Sequence, residues 1–258
     1  MPTALFIGAH NEEIEAEIPL LPQLLSRAGW RVVILNPIGG WNWVEIRRMP
    51  EDMRGRLPRD CIDAAAELGA EKVLWDYDVA RTPAIREELA DRLAAFLRTV
   101  EPELVFIHWP YDGHQDHRLV AQVSLHVLRS VRNLIDDNEW QPTWREVWAF
   151  QVGIAQTFNF WPDILVVADQ SAMDTARRAL DRFVAYGEAK REAWWRNVLG
   201  KTSWWGALAG GRPAEAYKLV GPSFPAEGTF LKQALGDAVI AVSTELWTFG
   251  RGYIDVAP

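Results

Sequence analysis

The chain has 258 residues, of which 49% are apolar and 24% charged, and its formal net charge is −8. These values predict a single globular domain over residues 1–258 and argue against a nucleic-acid binder that relies on phosphate contacts. No apolar run reaches the length of a membrane span, and no signal sequence is apparent at the N-terminus. The single cysteine, Cys61, fits a reducing compartment, so we expect a cytoplasmic protein.

Five short apolar segments predict buried β-strands. They are rich in Val, Ile, Leu and Phe and do not alternate strictly, which is typical of strands covered on both faces. The predicted strands are Thr3–Gly8, Arg31–Leu35, Lys72–Trp75, Leu104–His108 and Ile164–Val167.

Helical patterns separate these strands. The predicted helices are Glu12–Ala28, Arg59–Leu68, Thr82–Thr99, His117–Asp137 and a long helix that begins at Ser171–Asp174. Pro19 and Pro22 are expected to delay or kink the first helix. Strands that alternate with helices imply right-handed crossovers between parallel strands. The predicted fold class is therefore α/β, with a Rossmann-like, mostly parallel sheet and helices on both faces.

The C-terminal part has a different composition. Gly200–Gly228 is rich in Gly, Pro and Trp and predicts a long loop region, and Ala238–Phe249 predicts a final strand region. The chain also has 14 tryptophans. We interpret most of them as core residues, although indole rings also stack on the faces of sugars and some are candidates for a ligand surface.

Polar side chains that suit a metal site follow two of the predicted strands. The stretches are GAHNEE, residues 8–13, and HWPYDGHQDHR, residues 108–118, and only His126 of the 5 histidines lies elsewhere. Ligands of open α/β sheets bind beyond the carboxyl ends of the strands. If the first and fourth strands are neighbours, the two stretches meet. Two imidazoles and a carboxylate commonly bind a divalent metal, and further acids and histidines can move protons or stabilise an oxyanion.

Each stretch alone has a simpler interpretation. Adjacent glutamates at the start of a helix favour the helix dipole, and His-x-x-His by itself is a weak signal. The two stretches together, at two strand ends of one predicted sheet, favour the metal site.

At these residues the chain resembles the PIG-L/LmbE-like family of metal-dependent N-deacetylases. AHNEEI, residues 9–14, is similar to the family's Ala-His-Pro-Asp-Asp-Glu motif. GHQDHR, residues 113–118, matches all but one position of a second motif close to Gly-His-Pro-Asp-His-Arg. AAAELGAEKVL, residues 64–74, and AEAYKL, residues 214–219, resemble two further family elements. The resemblance therefore extends over most of the chain, in order.

The resemblance implies a metal site and the residues that form it. His10, Glu13 and His117 would hold a divalent metal, which is usually zinc in this family. The first motif departs from the family pattern, because Glu12 and Glu13 replace two aspartates and Asn11 replaces a proline. Each longer side chain must be reseated, although glutamate is a legitimate metal ligand and base.

The resemblance also implies catalytic roles. Glu12 would be the general base, His114 would stabilise the oxyanion, and Asp116 would orient that histidine. Asp78, after the third predicted strand, is expected to contact substrate. The alternative interpretation of Asp78 is a turn that leads into the next helix.

The implied activity is the zinc-dependent removal of an N-acetyl group from an amino sugar or its conjugate. The alternatives are a non-hydrolytic member that binds metal or carbohydrate, and a metal-dependent hydrolase of another amide or ester. The expected partner is a small N-acetylated amino sugar or conjugate, with no nucleic acid and no membrane span. The sequence leaves open whether the chain forms a homo-oligomer.

Overall fold

The computed structural model describes residues 1–80, 82–134, 140–221 and 229–242. The strands of this part of the chain form one sheet with the order β3-β2-β1-β4-β5-β7-β6-β8. In chain order they are β1 (Thr3–Ile7), β2 (Arg31–Asn36), β3 (Glu71–Leu74), β4 (Leu104–His108), β5 (Glu146–Phe150), β6 (Ile164–Val167), β7 (Ala214–Gly221) and β8 (Val239–Ala241).

Helices connect most of these strands. They are α1 (Glu13–Glu17), α2 (Leu20–Arg27), α3 (Val44–Arg47), α4 (Glu51–Glu67), α5 (Thr82–Val100), α6 (Gln115–Leu134), α7 (Gln170–Asp181), α8 (Gly187–Ala207) and α9 (Phe230–Leu235). The adjacent strands β3, β2, β1, β4 and β5 run parallel to one another. The remaining pairs, formed by β7 with β5 and β6 and by β6 with β8, are antiparallel. The predicted α/β fold with a mostly parallel sheet is confirmed.

The residues of β1 alternate between two apolar layers. Leu5 and Ile7 pack in the layer that includes Leu93 of α5 and Val120 of α6. Phe6 packs in the opposite layer, which contains residues of α1 and α2. The central strands are therefore covered by helices on both faces, which explains their continuously apolar sequences.

The first predicted helix is interrupted where its prolines predict a break. α1 ends at Glu17 and α2 begins at Leu20, with Pro19 between them. The backbone N–H groups of Leu20 and Leu21 would have no partner at the start of α2. They donate instead to the carboxylate of Glu215 on β7, at 2.7 and 3.0 Å.

The prediction of a long loop over Gly200–Gly228 is wrong for most of its described part. α8 continues to Ala207, and β7 occupies Ala214–Gly221 between β5 and β6. The sequence of β7 contains polar residues such as Glu215, so it does not have the apolar pattern of a buried strand. Glu215 can be buried there because the N–H groups at the start of α2 bond to its carboxylate. Strand β5 was also missed. Residues 222–228 lie outside the described residues.

Two predicted elements extend beyond the residues that the structure describes. The predicted helix His117–Asp137 corresponds to α6, and its residues 135–137 lie outside the described residues. Residues 243–249 of the last predicted strand region also lie outside the described residues, and β8 is the strand within the described part of that region.

No helix within the described ranges has both the length and the apolar character needed to cross a bilayer. The single domain over residues 1–258 stays a prediction.

Candidate metal centre

The two motifs meet because β1 and β4 are parallel neighbours. Their register pairs Ile7 with Ile107, so both strands end at the same edge of the sheet. The loop after β1 supplies His10 and Glu13 there, and β4 with the following loop and helix supplies His108 and His117. The condition that the sequence left open, that these two strands adjoin, is confirmed.

Asparagines fix the turn after β1, although the family's proline is absent. A side chain at Gly8 would place its Cβ 2.7 Å from Nδ2 of Asn36, which occupies that space and donates to the carbonyl of His10. Asn11 donates through Nδ2 to the carbonyl of Gly39 at 2.6 Å. These bonds hold the backbone of the motif and aim His10 and Glu13 towards β4.

The Glu13 carboxylate lies at the centre of the histidines. Its Oε1 is 2.8 Å from Nδ1 of His10 and 2.5 Å from Nε2 of His117. Its Oε2 accepts the backbone N–H groups of Ala9 and His10 at 2.6 and 3.0 Å and lies 2.7 Å from Nε2 of His108. Burial opposes the charge, but His117, His108 and His10 together hold the pKa of Glu13 well below its usual range.

His10 and His117 each bridge Glu13 and an aspartate. Nε2 of His10 is 3.2 Å from Oδ2 of Asp116, and Nδ1 of His117 is 3.1 Å from Oδ1 of Asp112. Burial works against the charged imidazoles. Glu13 and these aspartates outweigh it and raise the pKa of His10 to about 10 and that of His117 to about 9. Without a metal ion, both rings therefore carry a proton at neutral pH.

The donor atoms fall into two overlapping groups within the described part of the chain. One group contains His10, His114 and His117, the other contains Glu13, His108 and His117, and the atoms of each lie within 4.8 Å of one another. Imidazole nitrogens and a carboxylate oxygen are the ligands that zinc and related divalent metals take. A bound cation would also replace the protons that the buried rings now carry beside Glu13. The side chains present thus fit a divalent metal.

His108 is a member of this cluster to which the sequence assigned no role. It is the last residue of β4, is fully buried, and stacks on His117 with ring centroids 4.5 Å apart and planes at 3°. Burial lowers the pKa of His108, against the opposing effect of Glu13. Its position at the end of a predicted strand could have indicated a role in the site, but His108 lies outside the family motif.

Glu12 lies at the N-terminus of α1, next to Glu13 in the chain and partly exposed. Burial raises the pKa of this carboxyl, and the positive charge of His10 opposes that rise. Glu12 also interacts with the hydroxyl of Tyr186, whose pKa is raised by burial and then by this carboxylate. A carboxylate with a raised pKa beside a candidate metal site suits the acceptance of a proton from water.

His114 is held by backbone groups of its own loop. Its Nδ1 accepts the N–H of Asp116 at 3.2 Å, so the proton of the neutral ring lies on Nε2. Its own N–H donates to Oδ1 of Asp112 at 2.7 Å. Burial, followed by the charges of His117 and His10, lowers the pKa of His114. Asp116 thus contacts His114 through its backbone, while its carboxylate contacts His10 and the N–H of Ala80.

Asp78 lies apart from these contacts. It is exposed on the segment that follows β3, two residues before Ala80. Ala80 has a positive φ of 63° and donates to the Asp116 carboxylate, so the segment adjoins the cluster. The expected role of Asp78 in binding substrate stays a prediction.

An open cleft adjoins the cluster on the side of His10. The ring of Trp43 lies 5.8 Å from that of His10, and Tyr186, the partner of Glu12, also lines the cleft. The cleft has a volume of about 490 Å³, and its lining residues are Trp43, Val44, Glu45, Arg48, Met49, Ala185 and Tyr186. We refer to it as the Trp43 cleft.

The fold and the cluster define an α/β protein with a histidine–carboxylate centre at the edge of its parallel strands. Residues 5–128 match the family model described as PIG-L, GlcNAc-PI de-N-acetylase. That part of the chain includes both motifs, and the match confirms the resemblance seen in the sequence. No curated protein sequence matches the chain significantly.

Solved structures share the fold at low sequence identity. N,N'-diacetylchitobiose deacetylase from Pyrococcus horikoshii has a TM-score of 0.70 and 17% identity, and the match covers 84% of this chain and 83% of that one. The 4-carboxy-2-hydroxymuconate hydratase from Pseudomonas putida has a TM-score of 0.66 and 20% identity, with coverages of 89% and 100%. The A40926 pseudoaglycone deacetylase has a TM-score of 0.65 and 15% identity, with coverages of 86% and 98%. At these identities the matches establish the fold alone.

Proposed function

We propose that this protein is a zinc-dependent hydrolase that removes the N-acetyl group from an amino sugar or its conjugate. The observation that carries the proposal is the arrangement around the first motif. Glu13 is surrounded by imidazoles, while the adjacent Glu12 remains partly exposed with a raised pKa. One carboxylate is thereby suited to hold a metal and its neighbour to accept a proton.

His10, Glu13 and His117 would hold the metal. A divalent ion bound there supplies Lewis acidity, which polarises an amide carbonyl and lowers the pKa of a water. Oε1 of Glu13 lies 2.8 Å from a nitrogen of His10 and 2.5 Å from one of His117. His10 and Glu13 fall in different donor groups, so a side chain must shift to bring all three donors to one ion.

Glu12 would accept the proton of the attacking water. Attack on the acetyl carbonyl gives a tetrahedral species whose oxygen carries negative charge, and the Nε2–H of His114 would donate to that oxygen. Protonation of the amine then releases acetate and the free amino sugar. Glu12, having taken the proton from water, would return it to the amine.

The Trp43 cleft is the proposed binding site for the acetylated sugar. Trp43 offers an indole face near His10, and Arg48 and Glu45 supply polar groups at its exposed edge. Asp78 is kept as a proposed substrate contact from the neighbouring segment. The proposed partner of the protein is therefore a small molecule. The proposed location of the protein is the cytoplasm.

The fold alone does not select this reaction, because one of its structural neighbours is named as a hydratase and others as deacetylases. The motif residues favour the deacetylase. Two alternatives from the sequence remain distinct proposals: hydrolysis of another amide or ester at the same centre, and metal or carbohydrate binding without turnover. The replacement of both family aspartates by Glu12 and Glu13 is the feature that favours the latter.

The test compares the metal-loaded wild-type protein with Glu12→Gln. Glutamine keeps the size of the side chain and removes its basic oxygen, so we expect turnover of an N-acetylglucosamine conjugate to fall by roughly two to four orders of magnitude. Metal content, measured by elemental analysis, should stay at wild-type level. Turnover by the variant at the wild-type rate would contradict the assignment of Glu12. Metal binding by the wild type without turnover of any N-acylated amino sugar would support the non-hydrolytic alternative.

A further inference from the structure

A second cavity lies beside the candidate centre and takes no part in the mechanism above. It has a volume of about 510 Å³ and is enclosed by the loop after β5 and the end of α8. We refer to it as the Trp204 pocket. Its lining residues include Gln151, Ile154, Thr157, Trp161, Trp204 and Leu208.

The loop that forms this pocket is bonded directly to the candidate centre. Thr157 forms a β-bridge with Asp112. The side-chain amide of Gln156 donates to Oδ1 of Asp112 at 3.1 Å, and the N–H of Gly113 donates to the carbonyl of Gln156 at 2.8 Å. The same oxygen of Asp112 lies 3.1 Å from Nδ1 of His117. The loop that lines the pocket is therefore only one residue, Asp112, away from His117 of the candidate centre.

The walls of the pocket are aromatic and uncharged. Trp161 and Trp204 keep 57% and 61% of their surface exposed, which is unusual for the largest apolar side chain. The floor is made by Phe160, which packs on Trp205 with ring centroids 6.3 Å apart. None of the residues that line the pocket is ionisable, so the pocket suits a neutral ligand with flat apolar faces.

One polar group in the wall has unused hydrogen-bonding capacity. Gln151 is 6% exposed, and its Oε1 has no hydrogen-bond partner among the described residues. Its backbone carbonyl is held by Lys201 at 2.9 Å, which fixes the residue in place. A buried acceptor without a partner costs free energy, and a ligand hydroxyl that donates to it would recover that cost.

We propose that the Trp204 pocket binds a neutral sugar ring of a glycan that extends beyond the N-acetylated unit. The C–H faces of a pyranose stack on the indoles of Trp204 and Trp161, and a hydroxyl donates to Gln151. This subsite rests on the proposed function in that the acetylated unit occupies the Trp43 cleft. It identifies the substrate as an oligosaccharide or glycoconjugate rather than a free monosaccharide.

The first test measures binding without turnover. Cellobiose has no acetamide group, and its binding can be followed by NMR of the tryptophan indole N–H groups in the full-length protein. We expect Trp204→Ala to weaken binding about tenfold, since it removes an exposed stacking face. Gln151→Leu, which keeps the volume but removes the acceptor, should weaken it as well. Trp195→Ala is the matched control, because Trp195 lies on the same helix outside the pocket.

The outcomes separate this subsite from the activity. Failure of the wild type to bind cellobiose, or equal binding by the wild type and Trp204→Ala, would overturn the subsite. Binding of octyl glucoside without binding of cellobiose would also overturn it and point to an alkyl group as the occupant. Cellobiose binding that depends on Trp204, in a protein that deacetylates nothing, would support the subsite while the proposed function fails.

A second measurement uses wild-type turnover. A subsite for an additional ring predicts a higher kcat/KM for N-acetylchitotriose than for N-acetylglucosamine, and Trp204→Ala should reduce this ratio about tenfold. A ratio that is the same in both proteins would contradict the subsite.

Discussion

Nε2 of His108 lies 2.7 Å from Oε2 of Glu13, although 95 positions separate the two residues in the chain. The contact joins the ends of the neighbouring strands β4 and β1. The same nitrogen lies 2.8 Å from the backbone nitrogen of Ala9. His108 thereby fixes the carboxylate that the other histidines share. It is the first residue of the polar stretch 108–118 but lies outside the family motif 113–118.

Replacement of His108 should weaken metal binding without abolishing it. Groups that orient a metal ligand typically contribute ten- to a hundredfold to affinity, and we expect a loss of about that size for His108→Ala. Competition with a chelator of known affinity measures it. His126→Ala is the matched control, because this exposed histidine lies away from the cluster. Equal affinities of the two variants would show that His108 has no such role.

Replacement of a proposed ligand should have a larger effect. We expect the wild-type chain to carry about one divalent ion and His10→Ala or His117→Ala to lose it, since each variant removes a donor from a three-residue set. Elemental analysis after dialysis measures the occupancy, with His126→Ala again as the control. Full occupancy in a His10→Ala/His117→Ala double variant would place the metal elsewhere.

Metal binding should release protons. In the metal-free protein the pKa of His10 is about 10 and that of His117 about 9, so both rings are protonated at pH 7 and must be neutral to bind a metal. Affinity should therefore rise as pH increases from about 7 to 9. Calorimetric titrations of zinc in buffers of different ionisation enthalpy count the protons released. A count of zero at pH 7 would contradict the raised pKa values.

His114 should affect the rate more than the binding of substrate. Its proton lies on Nε2, where it can donate to an oxyanion, so His114→Gln should lower kcat about a hundredfold with a much smaller change in KM. The metal content of His114→Gln should be measured together with its rate, because His114 also belongs to one of the two donor groups. Loss of the metal in His114→Gln would make this residue a ligand instead.

The buried carboxyl of Glu215 should make stability depend on pH. Burial raises its pKa from 4.5 to about 7, against the opposing effects of Leu20, Tyr217, Leu21 and Lys201. The folded state therefore holds a proton that the unfolded state has released. The corresponding stabilisation is complete below pH 4.5, decreases between pH 4.5 and 7, and is lost above pH 7; it amounts to about 3 kcal/mol.

Glu215→Gln should remove this dependence, because glutamine does not titrate. The measurement is the free energy of unfolding in urea from pH 4 to pH 8. The free energy of unfolding of the wild type minus that of the variant should decrease as pH rises from 4 to 8. Glu188→Gln, at an exposed position of α8, is the matched control. A difference that is constant over this range would contradict a raised pKa of Glu215.

The sequence by itself determined the fold class and the edge of the sheet where the candidate centre lies. Short continuous apolar runs such as Leu104–His108 are typical of strands covered on both faces, and their alternation with helices favours parallel pairing. The histidines at the ends of two such runs indicated a metal site, and the resemblance to the PIG-L/LmbE-like motifs implied His10 and His117 as its ligands. Local composition was sufficient for the position of the site, and the motifs were needed for the individual residues.

Only the tertiary structure decided which polar groups share a partner. His108 became part of the cluster because β1 lies beside β4, and Asp112 because the loop after β4 folds back onto His117. Glu215 was placed in a buried strand because the start of α2 supplies two N–H groups to it. Each of these depends on contacts between distant residues. A polar side chain is buried where its partners are, and its own neighbours in the sequence do not reveal them.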